Sequence, residues 1–249
     1  MMSLKLKQTL MSGIRKLLAS QGYALVRMNT QQNLGTMDGA FRAIAKRKYF
    51  FNTVIDVGAS DGSWTGSLMR YIPLCQYLLI EAQPVHAKVL RQFSNEHKNV
   101  HLVLAAAGET LGHIYFDACD PFGGQASYTP YASNNIQVPV TTIDNEIQSR
   151  RLTGPYLIKL DTHGFEVPIL KGASRTLTET DVIIMECYNF RIAPECLLFF
   201  EMCDYLKGFG FRCIDLVDPL YRPYDDSFWQ MDLVFVKDNR PEFSYLEYR

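Results

Sequence analysis

Seven short runs of apolar and β-branched residues alternate along this chain with stretches of helical spacing, and that alternation restricts the fold more than any other feature. The runs are TVIDVG (53–58), QYLLIEA (76–82), VHLVLAAA (100–107), YLIKLD (156–161), DVIIMEC (181–187), FRCIDLV (211–217) and DLVFVK (232–237). Several are almost continuously apolar, the pattern of strands covered on both faces by helices. Helices are expected between them at 62–71, 84–98, 165–171 and 194–208. Such strand–helix–strand units build an α/β sheet. The exception is 108–155, where GHIYFDA and IQVPVTTID read as extended segments around a Gly-, Ser- and Tyr-rich loop, so an insertion, with an added hairpin, is expected there.

With 249 residues, 47% of them hydrophobic and 20% charged, the chain can bury a large core. One domain over 41–249 is expected, preceded by residues 1–40. Within that leader, Leu6, Leu10, Ile14, Leu17 and Leu18 recur at helical spacing with Lys5, Lys7, Arg15 and Lys16 between them. An amphipathic basic helix over 4–18 is expected, suited to packing on its own domain, on a partner in a homodimer, or peripherally on a membrane surface. The polar stretch 22–39 reads as a connector. No run reaches the roughly 18 apolar residues of a spanning helix, and no secretion signal is read. Twenty-five basic against twenty-six acidic residues argue against nucleic acid as the partner. The six cysteines lack Cys-x-x-Cys spacing, which gives neither a zinc knuckle nor a disulfide framework and fits the reducing cytoplasm.

Three segments carry chemistry. The first is VIDVGASDGSWT at 54–65, a strand running through Asp56, Gly58, Ser60, Asp61 and Gly62 into a helix start. Glycines permit a tight strand-to-helix turn beside a nucleotide-like ligand. The loop lacks the Gly-x-Gly-x-x-Gly of a dinucleotide site, and Asp56 and Asp61 would repel a pyrophosphate while suiting a ligand that bears an ammonium and a sulfonium. The second segment ends a strand at Glu81, placed to accept hydrogen bonds from both hydroxyls of a ribose.

The third is YLIKLDTHGFE at 156–166, another strand, turn and helix start. Ligands of open parallel sheets lie beyond the carboxyl ends of the strands, so Asp161, His163 and Glu166 are expected to face the crevice of Gly58 and Glu81. Lys159 and Asp161 share a strand face and read as an ion pair that orients the turn. Histidine is the one side-chain type in this loop whose ordinary pKa suits proton abstraction near neutrality, which makes His163 the candidate base, with Asp161 orienting either the imidazole or the substrate hydroxyl. His86, His97, His101 and His113 fall on helix or strand surfaces by pattern and are assigned no role. Asp161, His163 and Glu186 also form a metal-compatible set, but no compact ligand motif supports it and no metal is expected.

VIDVGASDGSW, LIEAQP, AAGETLG (106–112), VPVTTID (138–144), IKLDTHGFEVPILKGA (158–173) and VIIMECY (182–188), in this order and spacing, resemble the FkbM family of S-adenosylmethionine-dependent methyltransferases. The resemblance covers about 50–190. It implies the Rossmann-like class I methyltransferase fold: a seven-stranded, mostly parallel sheet with an antiparallel final strand and helices on both faces. It also implies that Asp56, Gly58, Ser60, Asp61 and Gly62 contact the methionine part of S-adenosylmethionine and Glu81 its ribose. Where the family usually reads Asp-Val-Glu-Gly-Ala-Glu this chain has Asp161-Thr162-His163-Gly164-Phe165-Glu166, so His163 stands in place of an acid. The expected activity is methylation of a hydroxyl on a sugar, glycan or secondary metabolite. N-methylation, a cofactor-binding module without turnover and a nicotinamide oxidoreductase are the rivals.

Overall fold

The computed structural model describes residues 34–131 and 135–248, together with Ile14 and Ser20. The helix expected over 4–18, apart from Ile14, and most of the connector over 22–39 lie outside the described residues. Met1–Asn33 is one unit and Leu34–Arg249 another.

The second unit opens with α1 (Met37–Lys46), in which Thr36 Oγ1 accepts from Gly39 N at 3.2 Å and Ala40, Phe41 and Ile44 form the buried face. The polar connector read over 22–39 therefore ends earlier, and a boundary near residue 40 falls inside a helix. The spacing of α1's apolar residues is too short to stand out against the polar stretch before it.

All seven sequence runs enter one sheet, in the order β10 (Phe211–Tyr221), β11 (Phe228–Lys237), β9 (Thr180–Tyr188), β8 (Tyr156–Leu160), β1 (Thr53–Val57), β2 (Gln76–Glu81) and β3 (Val100–Leu104). β11 runs antiparallel to β9 and β10, and the remaining pairs are parallel, as expected. Period-2 alternation divides the strands between two cores. Ile55, Leu78, Ile158 and Ile183 enter one, while Val54, Leu79, Leu157 and Ile184 enter the other. Helices α2 (Ser63–Met69), α3 (Ala87–Glu96), α5 (Glu166–Lys171) and α6 (Phe199–Lys207) follow the expected positions. Helix α6 starts later than the expected 194, where Glu201 Oε2 accepts from Leu198 N at 2.8 Å.

The insertion is more ordered than a hairpin. The run at 100–107 breaks at Ala105, and β4 (Ala106–Ala107) joins a second sheet in the order β4, β7 (Asn135–Thr141), β5 (Gly112–Asp117), β6 (Gln125–Ser127). The extended reading of 136–144 stops at Thr141, because Thr142 Oγ1 accepts from Asn145 N at 3.0 Å and starts a crossover helix, α4 (Ile143–Arg150). Asp144 and Glu146 in its first turn suit the helix dipole.

Candidate active site

β1 has β2 on one side and β8 on the other, so the direction of winding reverses there. That reversal opens a crevice at the carboxyl ends of the strands. A cavity of about 340 Å³ lies at this point. Gly58 and Ser60 line it from the turn after β1, Glu81, Gln83 and His86 from the end of β2, and Asp161, Thr162 and His163 from the turn after β8. Glu186 and Gln230 enter from β9 and β11, and Phe116 and Phe122 from the second sheet and its loop.

Of the sequence-predicted residues, Gly58, Ser60, Glu81, Asp161 and His163 come together. Glu81 is buried, with Oε2 accepting from Ser60 N at 2.7 Å and Oε1 from Gln83 N at 2.6 Å, so both strand-end turns are tied to one carboxylate. Ser60 and His163 hold left-handed φ angles of 49° and 54°. Such strain in non-glycine residues concentrates at functional turns.

Asp56, Asp61 and Gly62 do not reach the cavity. Asp56 is fully buried, accepts from Thr65 Oγ1 at 2.6 Å and pairs with Lys159 Nζ at 3.1 Å, so its side chain is held inside the fold rather than on a ligand. Asp61 is exposed and accepts from Ser63 N at 2.9 Å, which holds its carboxyl below the usual range. Gly62, at φ 84°, packs against Leu90 and Phe93. Glu166, expected at the crevice, is buried instead, where Oε1 accepts from Gly164 N at 3.0 Å and Thr162 Oγ1 at 3.1 Å and so fixes the turn that carries His163.

His163 Nε2 lies 3.9 Å from Asp161 Oδ1 and 3.8 Å from Glu186 Oε2. Lys159 Nζ donates to the Gly58 carbonyl at 2.8 Å and lies 3.4 Å from Asp161 Oδ2. Burial works against the Asp161 carboxylate, but the Lys159 ammonium and His163 hold it below its ordinary range. Burial, reinforced by Asp161, pushes the Glu186 carboxyl up to about 9, although Tyr188 and Gln230 both donate to it. Burial likewise raises Asp232, on β11 beside Glu186, to about 7. The site therefore sets an ionised carboxylate and a proton-holding one around a single imidazole, an arrangement suited to moving a proton. One atom from each of Asp161, His163 and Glu186 lies within 4.8 Å of the others, so the same three side chains are also spaced to hold a divalent ion.

His86, assigned no role from its pattern, is buried and lines the cavity with Nε2 2.7 Å from the Pro121 carbonyl. A one-turn 3₁₀ segment, Pro84–His86, rotates it inward. Gln83 falls inside LIEAQP without a chemical signal that sets it apart, and Phe116 and Gln230 are brought in from distant positions by the second sheet and β11. Of the aromatic residues at 115–131 (Tyr115, Phe116, Phe122, Tyr128 and Tyr131), Phe116 and Phe122 reach the cavity, while the Tyr128 ring lies 5.3 Å from that of Phe165.

A mostly parallel sheet with one antiparallel strand and a cavity at the winding reversal is the Rossmann-like fold of the class I methyltransferases. Residues 56–213 match the methyltransferase FkbM domain, well over half of the chain. The protein belongs to the FkbM methyltransferase family, and its cofactor is S-adenosylmethionine. No curated protein matches the chain. Among solved structures it resembles a precorrin-6y C5,15-methyltransferase from Geobacter metallireducens at 12% identity, covering 84% of this chain and 94% of that one, with a TM-score of 0.46. It also resembles a putative tRNA (m1A22) methyltransferase of Streptococcus pneumoniae in complex with S-adenosylmethionine, at 11% identity over 84% of this chain and 75% of that one, TM-score 0.47. An rRNA methylase from Streptococcus thermophilus matches at 13% identity over 80% and 93%, TM-score 0.46. Likenesses this distant have no bearing on acceptor or mechanism. Among the described residues, no helix is long and apolar enough to cross a membrane.

Proposed function

We propose that the protein methylates a hydroxyl group of a small molecule or glycan, with His163 as the general base. The observation that carries this reading is the convergence of His163, Asp161 and Glu186 on the cavity that Gly58, Ser60 and Glu81 also line. When bound, S-adenosylmethionine supplies a methyl group open to displacement by an oxygen lone pair. Glu81 would hold the ribose hydroxyls and the Gly58–Ser60 turn the methionine part. His163 Nε2 accepts the proton of the acceptor hydroxyl as its oxygen forms the new bond, and Asp161 orients the imidazole. Phe116, Phe122 and Phe165 exclude water from the reacting atoms. A sugar-type alcohol is barely ionised at neutral pH, so such a base contributes about 10²- to 10⁴-fold. The cytoplasm, where its six thiols remain free, is the setting this reading implies.

The test is to screen sugars and hydroxylated metabolites for products heavier by one methyl, then to assay His163→Ala with the acceptor found. Turnover should fall by about 10²- to 10⁴-fold with cofactor affinity nearly unchanged. Wild-type turnover in that variant removes the base assignment.

A further inference from the structure

Gln83 is only 3% exposed and lines the cavity two residues beyond Glu81. Its Nε2 donates to the Asp120 carbonyl at 2.6 Å, which fixes which end of the carboxamide is nitrogen. The other end, Oε1, is buried with no hydrogen-bond partner among the described residues. Buried acceptors are nearly always satisfied, and one left open at the wall of a ligand cavity calls for a donor on the ligand. Gly124 closes the space behind the carboxamide: a Cβ there would come within 2.9 Å of Gln83 Nε2. The side chain therefore has little room to turn elsewhere.

S-adenosylmethionine offers three kinds of donor: the α-ammonium, the two ribose hydroxyls and the 6-amino group of adenine. The ribose hydroxyls fall to Glu81, whose carboxylate is a stronger acceptor than a carboxamide. The α-ammonium belongs with the methionine part at the turn after β1. The same cavity is lined by the apolar Ala105, Ala106, Phe116 and Phe122, with the His86 ring 5.7 Å from that of Phe122, surfaces on which a flat ring can lie.

We propose that Gln83 Oε1 accepts a hydrogen bond from the adenine 6-amino group, and that Gln83 thereby selects adenine over 6-oxopurine nucleosides. A 6-oxo group would face Oε1 with a second acceptor, and a site built around a hydrogen bond rejects an analogue that cannot make it. Through Nε2 the same carboxamide joins the nucleoside to the loop around Asp120 and Phe122 that covers the cavity.

This inference rests on the cofactor assignment, and calorimetry separates the two. Binding of S-adenosylhomocysteine tests the cofactor, whereas its ratio to S-inosylhomocysteine tests Gln83. Wild-type protein should favour the adenosyl compound by about tenfold or more. Gln83→Met should bring the ratio near one, while Gln83→Glu, which loses the donor to Asp120 but keeps an acceptor, should retain a preference. Equal affinity of the wild-type protein for the two compounds overturns the proposal whatever the variants do, as does an undiminished preference in Gln83→Met. A Gln83→Met effect confined to 2′- or 3′-deoxyribose analogues would reassign the oxygen to the ribose and overturn it too.

Discussion

A Cβ placed on Gly58 would overlap the carbonyl oxygen of Asp161. The glycine of the first strand turn is thus demanded by the third strand turn, before any ligand arrives. Gly58 sits at φ 72°, where other residues are strained, and its own carbonyl accepts from Lys159 Nζ. Gly58→Ala should destabilise the cofactor-free protein by about 1–3 kcal/mol, read as a lower urea midpoint. Loss of cofactor binding in that variant then reports the frame rather than a ligand contact. An unchanged midpoint in the cofactor-free protein would return Gly58 to a purely ligand-facing role.

Lys159 bridges Asp56 and Asp161 across the β1–β8 pairing, in which Asp56 and Lys159 stand opposite each other. Removing the ammonium leaves a fully buried carboxylate without its cation. Lys159→Met should cost about 3–5 kcal/mol, and Asp56→Asn in the same chain should recover part of that loss. If Asp56→Asn adds its own destabilisation to that of Lys159→Met with no recovery, the pair does not stabilise the turn through charge.

The division between these residues and the cavity explains what could be read in advance. Strand identity was legible because fully covered strands are apolar runs, and the turns after β1, β2 and β8 were legible because glycines and acids collect there. Which of those acids face a ligand was not. Asp56 turns inward because Lys159, 103 positions away, is its register partner, a fact of pairing that no local pattern contains. Gly108 of AAGETLG and Gly172 of ILKGA are structural for a similar reason: a Cβ on Gly172 would overlap the carbonyl of Gly108, and one on Gly108 would come within 2.9 Å of Val140 Cγ1. In VPVTTID, Asp144 accepts from Thr176 N at 2.9 Å, so that motif also fastens the frame. Helix α4 escaped notice because its eight residues are mostly polar and its start is a threonine cap inside an extended-looking run.

The proposed ribose role of Glu81 would tie cofactor recognition to that frame, because the same carboxylate accepts from Ser60 N and Gln83 N. Glu81→Gln replaces one accepting oxygen with a donor facing the backbone N–H of Ser60 or Gln83. Affinity for S-adenosylhomocysteine should fall at least about tenfold, with a loss in stability of about 1–3 kcal/mol, by calorimetry and urea unfolding. Undisturbed affinity would exclude the carboxylate from the nucleoside site.

The acid cluster gives stability a pH slope. Asp232, raised to about 7, and Glu186, raised to about 9, hold protons in the folded chain that the unfolded chain has released. For groups raised in this way the contribution is fully present below the unfolded value and disappears as pH climbs through the folded one. Unfolding free energy should therefore decline from pH 5 to 9, by up to about 1.4 kcal/mol per pH unit for each group. Between pH 7 and 9 Glu186 carries the slope, so Glu186→Gln should flatten that interval and leave the decline below pH 7. The same slope in variant and parent would show that Glu186 titrates near its ordinary value.

Chelation distinguishes the two roles open to Asp161, His163 and Glu186. As a base, His163 needs the lone pair of Nε2 for the substrate proton; as a metal ligand, it gives that pair to the ion and the ion acidifies the acceptor hydroxyl instead. The two schemes make opposite demands on Glu186. A base flanked by carboxylates works with Glu186 protonated, whereas a divalent ion requires it ionised and would draw off its proton. Turnover should accordingly be unchanged after exhaustive EDTA treatment and insensitive to added Mg²⁺ or Mn²⁺. Activity lost to the chelator and restored by one of these ions would make Asp161, His163 and Glu186 ligands of that ion, and the activated oxygen would then owe its proton loss to the metal.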